Sequence, residues 1–227
     1  MKKGEQKRQK KALKKRTEKK SAQRLSQLMS IVSLHSILSQ ARSYPLEGCW
    51  VQEKWKDGGL AVVVVARCQP NGNLAFGNYL VDYYCLGLKD TFCNADVPAN
   101  VFRHDALPKM YHAAGRPISI SPDLAHEIIY GSIEYAAQFR FHPHRDFRDS
   151  QLLLDPPEMR PRSGAVEFGK DGKPFYIAGP HDHPDAIMRQ LMRTVGAGHF
   201  NYLMPLGEPL DEPDDFEGVD GDNEGVS

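Results

Sequence analysis

Cysteine is scarce in this chain: Cys49, Cys68, Cys85 and Cys93 are the only four in 227 residues, and no two stand in a C-x-x-C pair. That spacing argues against a disulfide framework and against a paired-cysteine zinc site. Cys68 and Cys85 fall in β-like segments, where buried free thiols are common, so a reducing cytoplasm is the expected compartment. No apolar run approaches the roughly 18 residues of a membrane-spanning helix. The first 24 residues are too basic, and LSQLMSIVSLHSIL too polar, for a secretory signal core.

Several catalytic signatures are missing as well. There is no G-x-S-x-G, and Cys85 in YYCLGLKD has no partner histidine at sequence level, so it reads as a structural thiol. The glycines of GKDGKP are not followed by GK[ST], which excludes a phosphate-binding loop, and GAGHFN lacks the strand that a dinucleotide fingerprint requires. His126-Glu127 invites a metalloprotease reading, but the residue four after the histidine is Tyr130. Both zinc-binding imidazoles must share a helix face, so that reading fails.

Net charge is absent too, at a formal +0, yet this zero hides a segregation. Residues 1–24 carry twelve Lys or Arg against two Glu, a net of +10, whereas residues 208–227 carry nine Asp or Glu and no base. Like-charge blocks have no apolar face to bury and are expected to be disordered. The expected organisation is therefore a basic arm at 1–24, a globular domain at 25–206 and an acidic tail at 207–227. Hydrophobic residues make up 41% of the chain, enough for a packed core.

Within the domain, Leu25, Leu28, Met29 and Val32 repeat with helical spacing, joined by Ile31, Leu34 and Leu38. Pro45 and Gly48 close that segment. Asn71-Gly72 between two apolar runs predicts a hairpin with strands near 60–69 and 74–83, and a third strand near 84–92. Leu60–Ala66 is apolar throughout, so its strand is expected to be covered on both faces. Residues 94–118 read as a loop with a short helix. Ser121-Pro122-Asp123 then starts a helix that runs towards Phe141. A strand is expected at 150–155 (SQLLLD), then a second hairpin turning at Asp171-Gly172, a helix from Pro184 stopped by Gly196, and a last strand in HFNYLM. The predicted fold is α+β: one domain with two hairpin–helix units around an antiparallel or mixed sheet.

Three groups of residues are candidates for function. His142 and His144 are two apart, as are His181 and His183; with Asp146 and Asp182 nearby they could hold a zinc-type ion. The plainer alternative puts His142 and His144 at the negative end of the helix ending near Phe141, and Asp182 before the positive start of the next. Asp82, Glu127, Glu134 and Asp146, with Asp90, are candidate catalytic carboxylates for magnesium-assisted phosphodiester hydrolysis. Lys7, Arg8, Lys10, Lys11, Lys14, Lys15, Arg16, Lys19 and Lys20 form a cationic run without aromatics, suited to the phosphate backbone of RNA or DNA rather than to base readout. The leading expectation is a cytoplasmic nucleic-acid- or ribosome-associated protein. Its rivals are a metal-assisted hydrolase or nuclease and a protein-interaction module with solvated tails. What separates them is whether the two histidine pairs meet at one cleft.

Overall fold

Leu60–Cys68 (β2) presents Val63 and Val65 to one side and Val64 and Ala66 to the other, and all four are buried. It is the central strand of a five-stranded antiparallel sheet made with Leu46–Gln52 (β1), Asn73–Asp82 (β3), Gly87–Pro98 (β4) and Pro117–Ile120 (β5), in the order β4-β3-β2-β1-β5. The structure, a computed structural model, describes residues 16, 19, 20 and 35–204. The helical spacing read from Leu25 to Leu34, the tail at 207–227, and Lys7, Arg8, Lys10, Lys11, Lys14 and Lys15 lie outside the described residues. Arg16, Lys19 and Lys20 are helical and exposed. Among the described residues no helix is long and apolar enough to cross a membrane.

Each sheet face has its own cover. On one, Ala99–Val101, Phe102–Ala106 and Leu107–Met110 run on as helix α1, whose Phe102, together with Tyr111 just beyond it, packs on Val64, Ala66, Leu74 and Phe76. On the other, Pro122–His126, Glu127–Gly131 and Ser132–Ala137 form α2, which lays Ala125, Ile128 and Ile129 on Val63, Val65, Tyr79 and Val81. The fold is α+β, three layers thick. α2 begins as its residues predict, with the Ser121 hydroxyl accepting from the Leu124 amide at 3.1 Å and Pro122 in the first turn. Its middle, Glu127–Gly131, is π-helical, which shifts the register so that Ser132 and Ala136 also face inward. There Gly87 lets strand and helix touch: a Cβ at this position, where φ is +73°, would fall 2.8 Å from the Ala136 Cβ and 3.0 Å from the Ser132 carbonyl oxygen.

α2 ends differently from expectation. The Phe141 amide donates to the Ala136 carbonyl at 3.1 Å and the Arg140 amide to Ala137 at 3.0 Å, with Arg140 left-handed at φ 62°. This is a Schellman closure with arginine where glycine is usual. Backbone amides satisfy these carbonyls, so His142 and His144 are not the groups that cap the helix.

Four other expectations are corrected. SQLLLD is not a strand but a helical turn at Phe147–Ser150 (α3) and a tight turn at Gln151–Leu153. Side chains hold its carbonyls in place of a ladder: the Tyr79 hydroxyl donates to Ser150 (2.8 Å), Arg67 to Leu153 (2.7 Å) and Arg42 to Leu154 (2.8 Å). Gly48, expected only to close off the preceding helical segment, lies inside β1, which has a bulge at Glu47. Residues 94–118, expected to hold a loop with a short helix, hold α1 together with the end of β4 and the start of β5. The second hairpin is reduced to its turn. Asp171 and Gly172 both have positive φ, and Lys170 and Lys173 form the only bridge there among the described residues. Phe175–Ile177 (β6) pairs in parallel with Asn201–Leu203 (β7), while Pro184–Thr194 (α4) packs Leu191 beside Tyr176, Phe139 and Cys85. The amides that could have extended the hairpin are already used: Val166 donates to Glu127 and Gly169 to the Tyr83 carbonyl.

The first hairpin forms, with one difference. Gly72 alone has positive φ (+83°), and the Gly72 amide donates to Gln69 at 2.9 Å while the Gln69 amide donates to Asn73 at 2.8 Å. It is a three-residue turn closed by a glycine bulge rather than a two-residue one. Gly72→Val, which forces a β-branched residue into the left-handed region, should cost about 1–3 kcal/mol in denaturant unfolding. An unchanged midpoint would refute this account of the turn.

Candidate histidine-lined cleft

β4 carries an extra residue. Leu80 pairs with Asp90 and Val81 with Leu88, which leaves Lys89 bulged out of the ladder. A bulge redirects a side chain, and here the Lys89 ammonium lies 2.8 Å from the Asp182 carboxylate. Asp182 also accepts from the Gly179 amide at 2.8 Å. Burial pushes its carboxyl up, but Lys89 and that amide outweigh burial and hold it below the ordinary carboxylate value. Lys89 thereby docks the 179–182 loop against the sheet.

Between this loop and the sheet lies a cavity of about 490 Å³. Leu60 and Leu80 line it from the strands, and Gly179 and Pro180 from the loop. His144 and His181 both reach it, along with Lys89, Asp90 and Asp182. His144 is held there by its amide, which donates to the Leu88 carbonyl at 3.0 Å. Its Nδ1 lies 3.8 Å from Asp90 Oδ1 and 3.9 Å from Asp146 Oδ2, outside direct hydrogen-bond range of either. One imidazole from each predicted pair therefore shares a cleft, whereas His142 and His183 are exposed and do not line it.

The metal expectation is not met. Among the described residues no three His, Cys, Asp or Glu side chains are grouped so as to hold an ion. His142, His144, His181 and His183 do not form a zinc cage. Nor do Asp82, Glu127, Glu134 and Asp146 gather as a magnesium site, because each has a separate task. Asp82 is buried and accepts from the Tyr84 and Cys85 amides at 3.0 and 2.9 Å; burial raises its carboxyl from 3.8 to about 6, with those amides and Lys89 opposing. Glu127, also buried, accepts from the Ser163 hydroxyl (2.6 Å) and from the Ser163 and Val166 amides (2.9 and 3.0 Å). Burial alone would raise its carboxyl, yet these donors prevail and lower it. Glu134 is exposed and paired with Arg162; Asp146 is exposed beside Arg145.

Two features escaped the sequence reading. Lys89 and Asp182 join across the cleft, a pairing that no spacing announces. His126, rejected as a metal ligand, is buried with its ring 5.3 Å from that of Tyr130 and its Nδ1 without a hydrogen-bond partner. Burial lowers it from 6.5 to about 4.

His126 and Asp82 make opposite contributions to acid stability. His126 takes up fewer protons folded than unfolded, so its share of stability is complete above pH 6.5 and lost as pH falls towards 4. Asp82 takes up more, so its share is complete below 3.8 and lost as pH rises towards 6. Relative to the parent protein, Asp82→Asn should gain about 3 kcal/mol between pH 4 and 6, and His126→Leu should lose the acid penalty between 6.5 and 4. Urea unfolding at stepped pH reads both differences, and pH-independent differences would contradict these assignments. No protein-family model, curated protein or solved structure matches this chain.

Proposed function

We propose that the protein is a cytoplasmic nucleic-acid-associated factor that holds RNA or DNA, free or in ribosomes, by the phosphate backbone. Lys7, Arg8, Lys10, Lys11, Lys14, Lys15, Arg16, Lys19 and Lys20 supply the contacts. The observation that carries this reading is the segregation of charge, +10 over residues 1–24 against nine uncompensated acids over 208–227. A cationic run without aromatics binds by releasing condensed counterions, which gives affinity without sequence preference. The acidic segment competes with phosphate for the same cations and restrains non-specific binding. The free thiols of Cys49, Cys68, Cys85 and Cys93 suit a reducing compartment.

Changing those nine cations to Gln should weaken binding similarly for unrelated sequences and flatten the plot of log affinity against log salt. The slope should fall by about 0.7–0.9 for each phosphate that is no longer neutralised. Filter binding at several salt concentrations measures it. A parent protein that does not bind at low salt, or a variant that binds like the parent, ends this reading.

A second reading is favoured by the meeting of His144 and His181 at one cavity. Two imidazoles facing one cleft suit acid–base hydrolysis: one takes a proton from an attacking water or hydroxyl, and the other returns one to the leaving oxygen. The Lys89 ammonium stabilises the charge that develops. His144→Ala and His181→Ala should each lower phosphodiester hydrolysis by about 10²-fold or more. Hydrolysis that persists in the double variant, or a parent protein with none, excludes it.

A further inference from the structure

We propose a second site, a preformed cleft that seats one base of a single-stranded nucleic acid. A cavity of about 280 Å³ lies between the end of β1 and the 165–171 turn, lined by Trp55, Tyr83 and Tyr84. Their rings form a continuous tract: Trp55 to Tyr83 at 5.7 Å, Tyr83 to Tyr84 at 4.9 Å, and Tyr84 onward to Phe175 at 6.1 Å. A lysine stands at each end. Lys56 Nζ is 5.4 Å from the Trp55 ring centroid, and Lys170 Nζ is 4.9 Å from that of Phe175.

The cleft is rigid before any ligand arrives. Both walls hang on the backbone of residues 83–84: the Tyr83 amide donates to Gly59 at 3.0 Å, the Gly169 amide to Tyr83 at 3.0 Å and the Phe175 amide to Tyr84 at 3.1 Å. Asp82 fixes the same turn from within by accepting from the Tyr84 and Cys85 amides. The Tyr84 ring lies so close to Gly59 that a Cβ there would come within 2.1 Å of it. Tyr84 is half-buried and lines the cavity, so an aromatic surface is presented with little motion left to lose on binding.

Charge and shape select the ligand. Glu167 and Asp171 share the lining with Lys56 and Lys170, which leaves the rim close to neutral. A free phosphate gains little there, whereas a planar ring gains stacking on Tyr84, with its trailing phosphates near one lysine. Aromatic stacking flanked by cations is how single strands are held without sequence preference. The choice of a nucleobase rests on the nucleic-acid reading above; the cleft and its preference for a planar ring do not.

Trp55 reports on its own occupancy. In the full chain carrying Trp50→Phe, which leaves Trp55 as the single tryptophan, uridine and adenosine monophosphates and short single-stranded oligonucleotides should quench fluorescence saturably. Inorganic phosphate should not. Tyr84→Ala should weaken the effect at least about tenfold, the scale of one lost base stack. Because Tyr84 also packs on Gly59, Ala165→Phe serves as a second variant: Ala165 is exposed on the lining, and a larger side chain fills the cleft without emptying the core. This variant should abolish quenching. Quenching that survives Ala165→Phe, or none with any nucleotide, overturns the proposal. Neutralising the arm should weaken oligonucleotide binding yet leave mononucleotide quenching intact, so the two readings fail separately.

Discussion

Everything in this domain is arranged around the Val63–Ala66 stretch of β2, which water reaches from neither side. β2 buries Val63 and Val65 towards α2 and Val64 and Ala66 towards α1. An antiparallel sheet with one solvated face would expose half of that run, so two helical layers are required. The chain supplies them in succession: β4 leads directly into α1, β5 follows on the far edge, and the chain crosses to α2 on the opposite face. The same demand explains the Gly87 contact, where α2 approaches the sheet closely enough to exclude a side chain.

Burying a sheet on both faces creates a second problem, since the connecting segments then run over buried ground. Charged side chains solve it locally. Arg67 leaves the edge of the core to donate to the Leu153 and Tyr44 carbonyls and to pair with Asp155, which also pairs with Arg160, itself bonded to Asp123. One buried guanidinium thus ties together the start of β1, the 153–155 crossing and the first turn of α2. Asp82 does the same for the 83–86 turn, and Glu127 for residues 163–166. Each carboxylate satisfies amides that no ladder reaches, a requirement wherever irregular backbone is buried. That is why Asp82 and Glu127, two of the four carboxylates expected to form a catalytic set, serve separate stretches of backbone instead.

Both clefts draw lining residues from the 82–90 region, Tyr83 and Tyr84 for one and Lys89 and Asp90 for the other. A turn clamped by Asp82 shapes the aromatic cleft, and the bulge at Lys89 shapes the histidine-lined one. A rigid turn and a bulge both aim side chains without spending core residues, which suits a small domain in which most apolar groups are needed for packing. The proposed roles of the arm, of His144 with His181 and of Tyr84 rest on different residues, so each can be altered alone.

The amino-acid sequence by itself determined the features that rest on local physics. Asn71-Gly72 and Asp171-Gly172 mark turns because few residues adopt positive φ. Ser121-Pro122-Asp123 starts α2 because its first amides need an acceptor, and the unbroken apolar run of β2 requires cover on both faces. Where partners are distant in sequence, only the tertiary structure decided. LEGCWVQ is a strand because β2 offers it an edge, PISI is one because LEGCWVQ then offers the next, and SQLLLD is not one because Tyr79, Arg67 and Arg42 take its carbonyls first. His144 and His181 meet while His142 and His183 do not, because a two-residue spacing says nothing about where two loops 37 positions apart will lie. That was set by the Leu88 carbonyl holding His144 and by Lys89 holding Asp182, contacts that exist only once the sheet has formed.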